Sequence, residues 1–149
     1  MTLYRFAKQI YSNDISGAGA KKLGGRWNSP GLPVVYTSCT ISLSLLELLV
    51  YHSAYEEIRV NILMRIEIPD IPAPSLTHNS LKQNWQKDID YSRFIGNEFL
   101  KSKKSLLLKV PSVIIPEEYN ILLNPSHPDF KKVKVIKASP FQFDARLFK

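Results

Sequence analysis

The chain is predicted to fold as an α+β domain, and three observations carry that expectation. Apolar residues recur at every second position through Val60, Ile62, Met64, Ile66 and Ile68, the period of a strand with one buried face. A leucine-rich run over residues 40–52 follows the short β-branched and aromatic segment VVYT, so a strand leads straight into a helix. The remaining strand-like segments are not separated by regularly spaced long helices, which argues for a mixed α+β arrangement over a doubly wound parallel sheet.

Taken in order, LYRFAK alternates well enough to form a first strand, and the glycine-rich polar residues 12–25 then read as a long loop, a candidate lid or binding loop. VVYT and residues 40–52 supply the second strand and the first helix. After the alternating strand, PDIPAPS carries three prolines and must be a loop. Residues 81–86 and 91–101 have helical character, SLLLKVPSVII reads as a strand pair or one strand bent at Pro111, and KKVKVIKAS as another alternating strand. The terminal FDARLFK is expected to pack as a final strand through Phe143, Leu147 and Phe148.

With 149 residues, 44% of them hydrophobic and 22% charged, the chain has the length and composition of one folded domain spanning residues 1–149. A single cysteine, Cys39, excludes an internal disulfide, and no Cys or His cluster has zinc-site spacing. No secretion signal or bilayer-length apolar run is present, so a cytoplasmic, membrane-free setting is expected. The net charge of +7 favours anionic partners. Its lysines fall in small groups without an arginine-rich arm or a nucleic-acid motif, which favours a solvated basic surface over a basic nucleic-acid-binding module.

Several side chains offer chemistry. Thr40, Ser44, Glu47 and Tyr51 fall on one stripe of an otherwise apolar helix, so Glu47 is either a carboxylate on a cleft wall or the solvated edge of an amphipathic helix. Arg26 follows two glycines that let a ligand approach the backbone, and its guanidinium could grip a phosphate or carboxylate; a surface arginine beside a tight turn fits equally. Tyr36 could stack on a planar ring or sit half-buried in the core, and Trp27 reads as a core anchor. Ser112, after Pro111, either stabilises a turn or reaches a ligand. Asn120, Asn124 and His127 are assigned to structural roles in turns, and Cys39 to a small buried position. Lys22 stands where a third glycine would complete G-x-G-x-x-G after Gly17, and no GxxxxGK[ST], HExxH or GxSxG motif occurs.

In sequence order, GGRWNSPGLPVVYTS, the LSLLELL helix, YSRFIGNEFL, LLLKVPSVIIPEEYNILLNPSHPDF and FDARLF resemble the RES-domain family of toxin–antitoxin systems over nearly the whole chain. The family's Arg, Glu and Ser correspond to Arg26, Glu47 and Ser112; Tyr36 matches its tyrosine, and Arg5 an arginine of its first strand. The resemblance implies an ADP-ribosyltransferase-like core in which two small mixed or antiparallel sheets, flanked by helices, frame a cleft for NAD. NAD would be the substrate, with no cofactor or metal, cleaved at its nicotinamide–ribose bond by phosphorolysis or hydrolysis, or used to ADP-ribosylate a protein. The resemblance also implies a cognate antitoxin with an Xre-like DNA-binding region that blocks the cleft in a hetero-oligomeric complex. Within the site, Arg26 and Arg5 would take phosphate, Tyr36 the nicotinamide, Glu47 its ribose, and Ser112 the ribose or the nicotinamide amide. The chain's compactness leaves little room for a separate acceptor-recognition surface, which tilts the expectation toward direct NAD breakdown.

Overall fold

The computed structural model describes residues 1–149. Six antiparallel strands form one sheet: β1 (Thr2–Lys8), β2 (Val35–Ser38), β3 (Asn61–Glu67), β4 (Leu107–Pro111), β5 (Tyr119–Leu123) and β6 (Lys134–Pro140), in the order β4-β5-β2-β1-β3-β6. Four α-helices accompany them: α1 (Ala18–Leu23), α2 (Ile41–Leu49), α3 (Tyr55–Ile58) and α4 (Ile89–Ser102). The α+β class is as the sequence predicts.

The two small sheets expected from the resemblance are fused, but barely. β1 pairs with β3 along seven positions, whereas it meets β2 at a single register pair, Tyr4 with Ser38. The sheet is therefore two three-stranded halves, β4-β5-β2 and β1-β3-β6, joined at one point. Ladder hydrogen bonds normally satisfy strand backbones. Here the Arg5 guanidinium reaches across and donates through Nη1 to the Tyr36 carbonyl at 3.2 Å.

One face of the sheet carries a core common to both halves, including Leu3, Ile62, Met64 and Ile66 from one and Val35, Leu107, Ile121 and Leu123 from the other. On the opposite face the core is divided. α4 covers Leu108, Val110 and Leu122 together with Trp27 and Trp85, while α2, α3 and the C-terminal segment cover Phe6 and Leu63. A valley is left between the two covers, above the seam. The expected one-sided burial of β3 is replaced by burial of both faces over its first half, because Phe6 and Phe143 close over Leu63.

Local chemistry sets the element ends. Thr40 caps α2 by accepting from the Leu43 amide at 3.1 Å, and Asp88 caps α4 by accepting from the Tyr91 amide at 3.1 Å. The expected loop over residues 12–25 contains α1, whose AGAKKL sequence has good helix formers and whose start is held by Ser16 Oγ accepting from the Ala18 amide. The terminal strand is not formed. Asp144 instead accepts from the Arg146 amide and opens a 3₁₀ turn over Ala145–Phe148. Phe143 packs as expected, at 3% exposure, but Leu147 stays 40% exposed. No helix is long and apolar enough to cross a membrane.

Candidate active site

The valley above the seam is a cleft of about 760 Å³, within the range of small-molecule sites. Its lining includes Arg5, Arg26, Tyr36, Glu47, Arg93 and Asn120. Four of the five residues singled out from the sequence thus share one cavity. Ser112 is the exception: it is 2% exposed and sits behind Glu47, to whose Oε1 its hydroxyl donates at 3.0 Å. Ser112 Oγ in turn accepts from the Ile114 and Ile115 amides, both at 3.1 Å. The bend after Pro111 therefore fixes the hydroxyl, and the hydroxyl fixes the carboxylate.

Glu47 projects from the polar stripe of α2 into the cleft, between Ser44 on the helix and Tyr51, which lies in the turn just past the helix end rather than within it. A second donor, Asn120 Nδ2, reaches the same Oε1 at 2.7 Å, and Oε2 has no protein partner. The molecule's ion pairs all lie elsewhere, at Glu67, Glu56, Asp88, Asp129 and Asp144. Glu47 is thus a carboxylate held by neutral donors alone, with one oxygen free.

The cationic side of the cleft is built on the Gly24–Gly25–Arg26 turn. Gly24 adopts φ +74°, and a side chain on Gly25 would meet the Tyr36 hydroxyl at 2.6 Å, so both glycines are required. Arg26 donates from Nη1 to the Gln86 carbonyl at 3.0 Å, and its guanidinium carbon lies 6.0 Å from the centre of the Trp85 ring. α4 supports the turn from beneath. Arg93 Nε donates to the Gly25 carbonyl at 2.8 Å, Ser92 Oγ to the Arg26 carbonyl at 2.6 Å, and Asn97 pairs with Ser29 through two hydrogen bonds. Arg93 is a third cleft guanidinium that sequence reasoning missed; its only signal is a cation on the polar face of a predicted helix. Burial lowers the Arg5 pKa below the usual arginine value, Asp14 offsets part of that, and Nε is buried without a partner.

Tyr36 presents its ring to the cleft while its hydroxyl faces protein, donating to Asn28 Oδ1 at 2.7 Å and accepting from the Trp27 amide at 3.0 Å. Burial pushes the phenol up to about 12, so it stays protonated at neutral pH and does not act as a base. Asn28, fully buried, ties the loop together by donating to the Ala20 and Leu32 carbonyls. Tyr36→Phe should keep the ring in the cleft but leave the Trp27 amide and Asn28 Oδ1 unpaired. The expected loss is about 1–3 kcal/mol of stability, measured by urea denaturation. Trp27 is a core residue at 3% exposure, as its sequence context suggests. Cys39 is half-buried, and burial raises its thiol above the usual value, which keeps it from being a ready nucleophile.

Asn120 departs from the turn role assigned to it. It lies in β5, opposite Ser38 of β2, and strand alternation puts it on the same face as Leu122 and toward the cleft. Asn124 is fully buried and does serve a structural role, donating to the Leu100 carbonyl on α4 and accepting from the Ser126 amide.

A split antiparallel sheet whose cleft holds one carboxylate without an ion pair beside three guanidiniums defines an α+β protein with a mixed-charge small-molecule cleft. A family model described as RES domain matches residues 2–144, and the chain belongs to the RES-domain family. Relatives span its whole length. It is 36% identical over 148 residues to a protein of Sphingobium sp. named Prs ADP-ribosylating toxin, covering 96% of this chain and 92% of the relative. It is 37% identical to a protein of Photorhabdus laumondii named Toxin Res, covering 100% of this chain and 98% of that one. Among solved structures, a chain of the M. tuberculosis MbcT-MbcA toxin–antitoxin complex superposes with a TM-score of 0.78 at 17% identity, over 99% of this chain and 86% of that chain. This likeness shows a shared fold.

Proposed function

We propose that the chain is a toxin that takes NAD into this cleft and breaks the bond between nicotinamide and ribose. The observation that carries this reading is Glu47, a carboxylate clamped by two neutral donors with Oε2 free, in a cleft shared with three arginines that form no ion pair. A pyrophosphate carries two negative charges and suits the guanidiniums of Arg26 and Arg5, both of which line the cleft. The Tyr36 ring packs on the nicotinamide, and Glu47 Oε2 faces its ribose. When the C1′–N bond breaks, the electron pair leaves with nicotinamide, which departs neutral, and positive charge develops on the ribosyl carbon. A fixed carboxylate beside that ring stabilises the transition state more than the ground state. Water or phosphate then bonds to C1′ and gives up its proton. Ser112, behind Glu47, acts through that carboxylate.

Incubating the purified chain with NAD, with and without phosphate, should release nicotinamide, together with ADP-ribose or its 1-phosphate. A folded, antitoxin-free protein that leaves NAD intact under both conditions would overturn the reading. A second reading, transfer of ADP-ribose to a protein, is favoured by the name of the Sphingobium relative. Label from NAD appearing on protein would identify it. Either way, a cognate antitoxin with an Xre-like DNA-binding region is the expected regulator. Five exposed apolar side chains, Leu23, Val50, Tyr51, Ile89 and Val113, rim the cleft and suit a protein segment as occupant.

A further inference from the structure

We infer that Asn120 is the positioning residue that makes the two oxygens of Glu47 inequivalent and aims Oε2 at the substrate; this rests on the reading of Glu47 as the ribose-facing carboxylate. The amide of Asn120 can be oriented in only one way. A carboxylate offers only acceptors, so the group 2.7 Å from Glu47 Oε1 must be the Nδ2 donor. The carbonyl end then points to Ser38, whose hydroxyl donates to Oδ1 at 2.7 Å. Ser38 and Asn120 are also direct cross-strand neighbours on β2 and β5, so the sheet register itself sets their spacing.

The result is a relay from strand to helix. Ser38 orients Asn120, Asn120 and Ser112 both donate to Oε1, and Oε1 is occupied while Oε2 is left for a ligand. The two donors come from different places, β5 and the bend after β4, and converge on a side chain of α2. Two fixed donors on one oxygen restrict the terminal torsion of Glu47, which is otherwise broad. Ser112 alone would leave the carboxylate free to swing about a single contact. Ser44 on α2, Tyr51 in the turn after it, Arg5 on β1 and Ser38 on β2 face the same space, and none of them donates to Glu47.

Asn120→Ala should lower kcat for nicotinamide release by about 10²-fold, the scale expected when a reacting group is misplaced by an ångström. KM for NAD should change by less than about 3-fold, because the arginines that hold the anion are untouched. Asn120→Asp keeps the shape but sets a second carboxylate against Glu47, so the two share a proton. The acid limb of its kcat profile should move up from the wild-type limb by about one pH unit or more. A merely structural asparagine would leave kcat relative to KM unmoved in the alanine variant, while the acid limb of the aspartate variant reports that position 120 lies against the Glu47 carboxylate. Wild-type kcat and an unmoved limb in both variants would overturn the inference, and the isosteric variant decides if the alanine variant does not fold. Should the wild-type protein prove inert toward NAD, the function proposed above fails separately. A crystal structure of Asn120→Ala then decides the positioning role: a displaced Glu47 carboxylate supports it, and an unmoved one ends it.

Discussion

Gly96→Ala should destabilise the protein by about 3 kcal/mol or more, against the ordinary sign for such a change. Gly96 lies inside α4, where alanine normally gains about 1 kcal/mol over glycine. A Cβ built there meets the Trp27 carbonyl oxygen at 1.7 Å, its carbon at 2.6 Å and the Trp27 Cβ at 3.0 Å. Two of those atoms are backbone and cannot rotate away, so the helix or the loop must move. Overpacking of this kind costs about 1–3 kcal/mol even where neighbours can yield. The displaced segment carries Arg26, and Ser92, Arg93 and Asn97 all lose registry with it. Urea denaturation of Gly96→Ala beside Gly19→Ala isolates the effect. Gly19 has nothing within 4 Å of its Cβ position, and its substitution should be neutral or stabilising. Equal stability of the two variants would mean that the loop does not rest on α4 as closely as described.

Glu47→Gln should reduce nicotinamide release by about 10³-fold while leaving the fold within about 1 kcal/mol of wild type. The glutamine carbonyl can still accept from Ser112 and Asn120, so the side chain keeps its place and only the charge is removed. Single-turnover release of nicotinamide measures the chemical step, and a thermal melt on the same sample checks the fold. Retention of more than about a tenth of the activity would remove Glu47 from the role of charge stabiliser. The substitution separates charge from geometry, which truncation to alanine would not.

Much of this site was legible because its parts sit where local rules are strong. The helical stripe placed Glu47 on a polar edge, the two glycines marked the Arg26 turn, and VVYT fixed the strand that carries Tyr36. Asn120 was hidden by its neighbourhood. Asparagine is depleted in strands, and the Asn-Pro and His-Pro pairs a few residues on signal turns, so the short β5 read as loop. The alternation of Asn120 with Leu122 was the available clue, but its meaning depends on pairing with β2, more than 80 residues earlier in sequence. The same limit applies to Ser112. Its residue type was evident, yet only the fold shows it behind the carboxylate rather than on the cleft wall. Fusion of the two sheets rests on one long-range pair, which no periodicity records.

That single pair has a thermodynamic consequence. Where strands are zipped along their length, the two sides of a site are already fastened and an occupant adds only its own contacts. Here Arg5 belongs to one half, while Tyr36, Asn120 and the Arg26 turn belong to the other, and the main backbone tie between β1 and β2 is Tyr4 with Ser38. A ligand or partner segment that grips both sides acts as a suture. Its binding energy is shared between recognition and the cohesion of the molecule, so occupancy and resistance to unfolding should rise together.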